Sequence, residues 1–378
     1  MYGHNNEPQP VSSQAKEVKS SRDVQLLNFP KVQGAKQAAE LDSHKNYKAR
    51  RLLLFKHAVG CVAARGEIQF LDRNTRRRLP DLHLPPRDRV LQYVEDTATI
   101  SKSIAVVAYT NVKPDSPYQA SIIDFRDPNR HCRRFDLKER PHVHSGKSTK
   151  FGITALCAVS CSTTSFQFAS GGCGGADKSI YLWTVKPKAD NPAAFEANTV
   201  ILPMQQAHTS AIAGLAYMAH KDYIMSAGRD CRLRITDLGA QKVTSCQLVE
   251  QGAEIYQLHV APPRFDQNQT LLLCEMKKSK IVNVLDIRVQ AKHIIQLGPK
   301  RKIVSSEGSM EKDWQTQYTR GYFTGSMFLR GTEIYDLRNA KQSIPGGSNI
   351  PVHTLLDPKQ STIMQYGGTT VTYFDFKK

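Results

Sequence analysis

The feature that most constrains this chain is a marker that recurs along its length. An aliphatic or aromatic residue followed by Asp stands at Leu71-Asp72, Ile123-Asp124, Leu285-Asp286, Tyr335-Asp336 and Phe374-Asp375, with the variants Trp183-Thr184 and Thr236-Asp237 between them. Successive differences are 52, 60, 53, 49, 50 and 39 residues. Irregular apolar clusters would not space themselves this evenly, so the series predicts seven copies of one supersecondary unit. Between markers, short apolar or alternating runs are broken by Gly, Asp, Asn and Lys, the pattern of strands joined by tight turns. No stretch after residue 50 sustains helical i, i+3, i+4 periodicity, which disfavours an α/β enzyme.

One unit is especially clear. From Gln205 to Leu248 the chain reads as four strands: Ala211–Tyr217, Tyr223–Ser226, Arg232–Thr236 and Lys242–Leu248. The breaks fall at His220-Lys221-Asp222, Gly228-Arg229-Asp230 and Gly239-Ala240. A lone sheet of this size cannot bury both faces and needs neighbours of its own kind. Ala207-His208, Ser226-Ala227-Gly228-Arg229-Asp230 and Ile235-Thr236-Asp237 together resemble one WD repeat. In that family a His, Ser, Asp and Trp form a hydrogen-bonded set that pins an outer loop to the strands. His208, Ser226 and Asp230 match, while Thr236 stands where the family has tryptophan. Upstream, Ser170, Asp177 and Trp183 occupy similar positions, with His144 as the candidate fourth member.

The fold implied by the resemblance is an all-β, seven-bladed WD40 β-propeller over 22–378, preceded by a disordered polar tail over 1–21. The C-terminus, TTVTYFDFKK, stops just after a third strand, leaving the last blade without its outer strand. Asp23–Phe29 (DVQLLNF) is the expected donor, closing the ring and covering an open edge. Val32–Asn46, polar with alanines, reads as loop or short helix.

No catalytic constellation, metal set or cofactor motif is visible. Gly171–Ser179 (GGCGGADKS) is a poor phosphate loop: Asp177 would repel phosphate, and strands flank it, so it reads as a turn. The eight cysteines include no CxxC pair and read as buried thiols of a reducing compartment. No apolar run reaches the roughly 18 residues of a membrane span. The expectation is an intracellular protein, nuclear or cytoplasmic, with no cofactor, no metal and no small-molecule substrate.

Charge is the chief pointer to partners. Lys and Arg number 52 against 34 Asp and Glu, a formal charge of +18, which favours an acidic partner: nucleic acid or an acidic protein segment. Lys277, Lys278 and Lys280 fall between second and third strands of the fifth unit, and Lys300, Arg301 and Lys302 in the link to the sixth. In a propeller both connections open on one face, joined there by Lys147 and Lys150. Arg76–Arg78 and Arg130, Arg133 and Arg134 are expected toward the opposite face or outer rim. Three markers extend to Asp-x-Arg: Asp124-Phe125-Arg126, Asp286-Ile287-Arg288 and Asp336-Leu337-Arg338. These resemble the W-D-x-R pattern of WD-repeat substrate receptors of cullin-4 ubiquitin ligases, although none has the tryptophan. The leading expectation is a non-catalytic scaffold in a multi-subunit complex. The alternatives are a nuclear DNA, RNA or chromatin binder acting through the basic face, and a ligase receptor.

Overall fold

A computed structural model describes residues 37–375 except 42–47, 86–91, 112–117, 127–130, 143–150, 175–176, 192–193, 204–206, 250–253, 264, 277–280, 289–292, 298–318, 332, 338–340 and 344–350. Among the described residues all regular structure is β-strand.

After β1 (Gln37–Glu40) come β2 (Ala49–Leu54), β3 (Ala58–Ala63), β4 (Ile68–Asp72) and β5 (Arg78–Leu84). Next are β6 (Gln92–Thr99), β7 (Ile104–Asn111), β8 (Ala120–Asp124) and β9 (Arg133–Asp136). The third group is β10 (Phe151–Cys161), β11 (Phe166–Gly172), β12 (Ile180–Pro187) and β13 (Phe195–Ile201). The fourth is β14 (Ile212–Met218), β15 (Tyr223–Gly228), β16 (Arg232–Asp237) and β17 (Lys242–Leu248). The fifth is β18 (Ile255–Val260), β19 (Leu271–Met276), β20 (Val282–Asp286) and β21 (His293–Leu297). The last two groups are β22 (Tyr322–Thr324), β23 (Met327–Arg330), β24 (Glu333–Asp336) and β25 (Lys341–Ser343), then β26 (His353–Asp357), β27 (Thr362–Gly367) and β28 (Thr370–Asp375).

Each group is an antiparallel meander in sequence order. The groups β6–β9 and β10–β13 are further joined, because the start of β10 pairs with the end of β7 at Gly152↔Thr110 and Phe151↔Asn111. Gly152 makes that seam possible. Its φ is +108°, and a Cβ there would lie 2.4 Å from the Tyr109 carbonyl oxygen, so only glycine fits.

Six markers lie where third strands end: β4, β8, β16, β20, β24 and β28 finish at Asp72, Asp124, Asp237, Asp286, Asp336 and Asp375. The reason is local. Asp72 accepts from the amides of Asn74 and Thr75, Asp124 from Arg126, Asp237 from Ala240 and Asp286 from Arg288. Such side-chain-to-backbone bonds turn the chain out of the ladder. At Thr184 no carboxylate is available. Its hydroxyl instead accepts from Gln167 on the neighbouring strand, and β12 runs on to Pro187.

Burial follows position in the sheet. The second strands β3 and β27 are buried at every residue, while the fourth strands β5, β13 and β17 alternate or face solvent. Apolar side chains therefore pack between neighbouring sheets. Leu233 and Ile235 of β16 meet Leu258 and Leu272 of the next group, and Trp183 and Phe168 meet Val106 and Ile122 of the preceding one. First strands touch in succession: β2 with β6, β6 with β10, β10 with β14, β14 with β18, β18 with β22, β22 with β26, and β26 with β2.

The last sheet corrects one expectation. Asp23–Phe29 lies outside the described residues, and the strand beside β28 is β1, within the stretch read as loop or short helix. Gln37 pairs with Tyr373 and Glu40 with Thr370. Ala, Gln and Glu are weak strand formers, but an unpaired edge on β28 supplies a template that local propensity does not register.

Candidate functional site

Recognition surfaces of such sheets are their turns, so what holds the turns decides what they can present. In β10–β13 the full pinning set is assembled. His142 Nδ1 lies 2.7 Å from Asp177 Oδ2, and Nε2 lies 2.7 Å from Ser170 Oγ. Because the carboxylate only accepts, Nδ1 carries the hydrogen, and Nε2 accepts from the serine hydroxyl. Trp183 Nε1 then donates to Ser170 Oγ at 2.7 Å. The indole is fully buried and stacks on Phe168 at 5.1 Å. His142 is braced by Gln119, which donates to its carbonyl at 2.7 Å and accepts from its amide at 3.1 Å. The histidine is thus His142 rather than His144, which lies outside the described residues. Gly171 and Gly172 end β11, and beyond them Gly174 and Asp177 form an isolated antiparallel bridge before β12.

In β14–β17 the set has three members. His208 Nδ1 lies 3.1 Å from Asp230 Oδ1, and Nε2 lies 2.9 Å from Ser226 Oγ. Asp230 also accepts from the amides of Thr209 at 2.7 Å and Arg232 at 3.3 Å. Burial alone would raise the Asp230 pKa, but the bonds from His208 and these amides outweigh it and hold the carboxyl below its usual value. Thr236, fully buried, leaves its Oγ1 without a hydrogen-bond partner among the described residues.

At the opposite ends of the strands, the Asp-x-Arg pairs are closed on themselves. Arg126 grips Asp124 with Nε at 2.9 Å and Nη2 at 2.7 Å. Arg288 grips Asp286 in the same side-on manner, with 62% of its side chain exposed. Asp336 is buried, and Arg338 lies outside the described residues. The candidate basic-face residues Lys147, Lys150, Lys277, Lys278, Lys280, Lys300, Arg301 and Lys302 also lie outside them, as does Arg130.

Two arginines from the other basic clusters are engaged internally. Arg76 donates to Asp375 and, at 3.2 Å, to Thr362 Oγ1, with its guanidinium 4.9 Å above the Tyr373 ring. Arg134 donates to the carbonyls of Gly66 and Pro85. Arg73, one residue beyond the first marker, makes a buried bidentate pair with Asp357. Arg73 and Arg76 therefore staple the first sheet to the last.

A second network gave no signal in the sequence. Asp96 on β6 accepts from both terminal nitrogens of Arg320, at 2.8 Å for Nη2, and from the Leu156 amide of β10 at 2.8 Å. Arg51 of β2 places Nε 3.6 Å away. Beside them His353 Nδ1 accepts from the Leu52 amide at 2.7 Å. Burial, reinforced by Arg51 and Arg320, drives the His353 pKa well below its usual value, so the ring is neutral and free to accept. Arg51, Asp96, Arg320 and His353 are all buried. They lie on or beside the first strands, the ones that touch in succession. Removing one partner of such a cluster exposes the others to the cost of an uncompensated buried charge.

Among the described residues, no three His, Cys, Asp or Glu side chains are grouped to hold a metal ion. The thiol pKa values of Cys61 and Cys274 are pushed far up by burial, which disfavours the thiolate.

No family model matches the chain, and no curated protein matches it in sequence. Among solved structures it is similar to the β-propeller domain of Cps50 (Swd1) from Myceliophteria thermophila, with a TM-score of 0.57, 11% identity, and coverage of 90% of this chain and 100% of that one. At that identity the likeness speaks for fold alone, and with the all-strand meanders above it establishes that this chain folds as a β-propeller.

Proposed function

We propose that the chain is a non-catalytic scaffold of the WD-repeat kind, a seven-bladed ring that holds partner proteins in a multi-subunit complex. The closing strand of this reading is β1, seated on β28. The observation that carries it is the buried cluster of Arg51, Asp96, Arg320 and His353. First strands meet around these side chains, which bond to one another and to backbone. What such a ring offers a partner is then its turns and rim, held rigid by the His142 and His208 sets. Affinity purification of the full chain with and without nuclease tests this. Protein partners retained after nuclease support it; complete loss of partners after nuclease overturns it.

A nucleic-acid reading has a specific observation in its favour. Arg73, Arg76, Arg126 and Arg134 are occupied within the molecule, so the net charge of +18 leaves its weight on other lysines and arginines. Lys277, Lys278 and Lys280 connect β19 to β20, Lys300–Lys302 connect β21 to β22, and Lys147 and Lys150 connect β9 to β10. In this reading these segments act together on phosphate backbones in the nucleus. Glu at Lys277, Lys278, Lys300 and Arg301 would abolish salt-sensitive nucleic-acid retention; unchanged retention would reject this reading. The ligase-receptor reading rests on the exposed Arg288 and is tested by Arg288→Ala with Arg338→Ala; intact co-purification of a ligase adaptor would end it.

A further inference from the structure

Each meander ends in an outer strand whose far side is unpaired among the described residues. An open edge of that kind invites pairing with another chain unless it is blunted. Blunting is visible at most of them. β5 carries Pro80 and Asp81 in its middle, and β9 has four residues and begins with two arginines. β25 has three residues, and β1 has four and closes with Glu40. β5, β17 and β21 also break register with their neighbours, an irregularity that twists an edge away.

β13 has none of these devices. Its seven residues pair with β12 without a shift, from Phe195↔Pro187 to Ile201↔Tyr181. Its charge is confined to Glu196, and it ends in Val200 and Ile201, which are 56% and 47% exposed. The strand is also held in place. Phe195 meets the Phe135 ring edge-on at 5.1 Å and lies under the Arg126 guanidinium, and Ala197 is buried with Trp183 and Val185. An edge already fixed in extended form leaves a partner less to order.

Two bonds fix which backbone groups face out. Leu202 donates to the Ile180 carbonyl, and Ala194 accepts from the Lys188 amide, both at 2.9 Å. Even-numbered residues therefore turn their N–H and C=O groups toward β12, while Phe195, Ala197, Thr199 and Ile201 turn theirs outward. The side chains of Glu196, Asn198 and Val200 share one face and are exposed. Lys186 stands across from Glu196 on the β12 side, so a cation on an incoming strand would flank the carboxylate from the other. A second copy of this chain fits worse. Self-pairing over the whole strand would set Glu196 against Val200 of the other copy, and each chain brings a net charge of +18.

We propose that β13 is a docking edge that takes an extended segment of a partner protein as a further antiparallel strand. That segment carries an aliphatic residue opposite Val200 and, four residues on, a Lys or Arg opposite Glu196. Phe195, Ala197, Thr199 and Ile201 supply the backbone bonds, and Val200 and Glu196 select the side chains. The proposal rests on the scaffold reading and names one of its surfaces.

Fluorescence anisotropy of the labelled peptide Ile-Val-Thr-Thr-Thr-Lys-Val, as long as β13, titrated with the full chain, tests it. Binding should saturate, and no saturation by about 1 mM overturns the proposal. N-methylating the third peptide residue, opposite Thr199, should weaken binding about tenfold or more. N-methylating the fourth, whose amide faces away from β13, should weaken it less than about twofold. Equal effects would mean side-chain adhesion without strand pairing and overturn the proposal. Glu in place of the peptide lysine should weaken binding about fivefold, and Glu196→Lys should reverse that preference; an unchanged preference overturns the register and the proposal with it. A wild-type dimer in light scattering that Thr199→Pro turns into a monomer would assign the edge to a second copy and also overturn it. The peptide can fail to bind while protein partners survive nuclease, so this proposal and the scaffold reading are judged apart.

Discussion

The sheets β10–β13 and β14–β17 are neighbours built on one plan, and their pinning sets differ at one side chain. In the first, Trp183 donates to Ser170 and stacks on Phe168, completing a chain from Asp177 through His142. In the second, the same chain runs from Asp230 through His208 to Ser226 and stops, because Thr236 occupies the equivalent position. The corner holds in both. The His–Asp–Ser relay, with its backbone bonds, is therefore what pins the turn, while the indole adds packing between sheets. With threonine in place of the indole, the Thr236 hydroxyl is left in the interface without a hydrogen-bond partner among the described residues.

The comparison breaks most visibly at the indole. Trp183→Thr, which turns the first sheet into a copy of the second, should destabilise the protein by about 3–5 kcal/mol through lost packing and an unanswered Ser170. Urea unfolding monitored by far-UV circular dichroism measures it, and a loss under about 1 kcal/mol would mean that the two sheets tolerate either residue.

Next come the histidines. His142→Ala should cost about 2–3 kcal/mol and His208→Ala about 1–2 kcal/mol, since His142 is the link between a buried carboxylate and an indole-bonded serine. Equal losses would remove the indole from the relay.

Acid should separate the carboxylates from the rest. The Asp230 pKa is lowered in the folded state, so its contribution is present above the unfolded value near 3.9 and is lost as pH falls through the folded one. Asp230→Asn should lower stability by about 1 kcal/mol near pH 6 and flatten the decline below pH 4. Parallel curves for wild type and variant would refute that assignment.

The smallest effect has the opposite sign. Thr236→Val removes an unpartnered buried hydroxyl at nearly constant volume and should raise stability by up to about 1 kcal/mol in chloride buffer. The same substitution at Thr184, whose hydroxyl accepts from Gln167, should lower it. Thermal unfolding of the two variants side by side gives the contrast.

Legibility follows the range of the interaction concerned. The strands of the Gln205–Leu248 unit fall within two residues of their expected limits, because the turn chemistry of His220-Lys221-Asp222, Gly228-Arg229-Asp230 and Gly239-Ala240 and period-2 alternation are properties of adjacent residues. Asp marked strand ends for the same reason, through bonds to amides two or three residues ahead. The His208, Ser226 and Asp230 set was readable because its members fall at repeat-specific spacing. Choosing between His142 and His144 was a different matter. Both precede the same sheet, and what braces the His142 backbone is Gln119, just ahead of β8 in the preceding group.

The sequence by itself determined that this chain is a series of four-stranded units, where six of the third strands stop, and which side chains pin the corner of the Gln205–Leu248 unit. The tertiary structure alone decided that Gln37–Glu40 sits beside the last strand, that Arg73 and Arg76 join the first sheet to the last, and that Asp96 meets Arg320 from 224 residues away. Turns and alternation are encoded in neighbouring residues. The partner of a buried charge is fixed only once the sheets have come together and water has been excluded from between them.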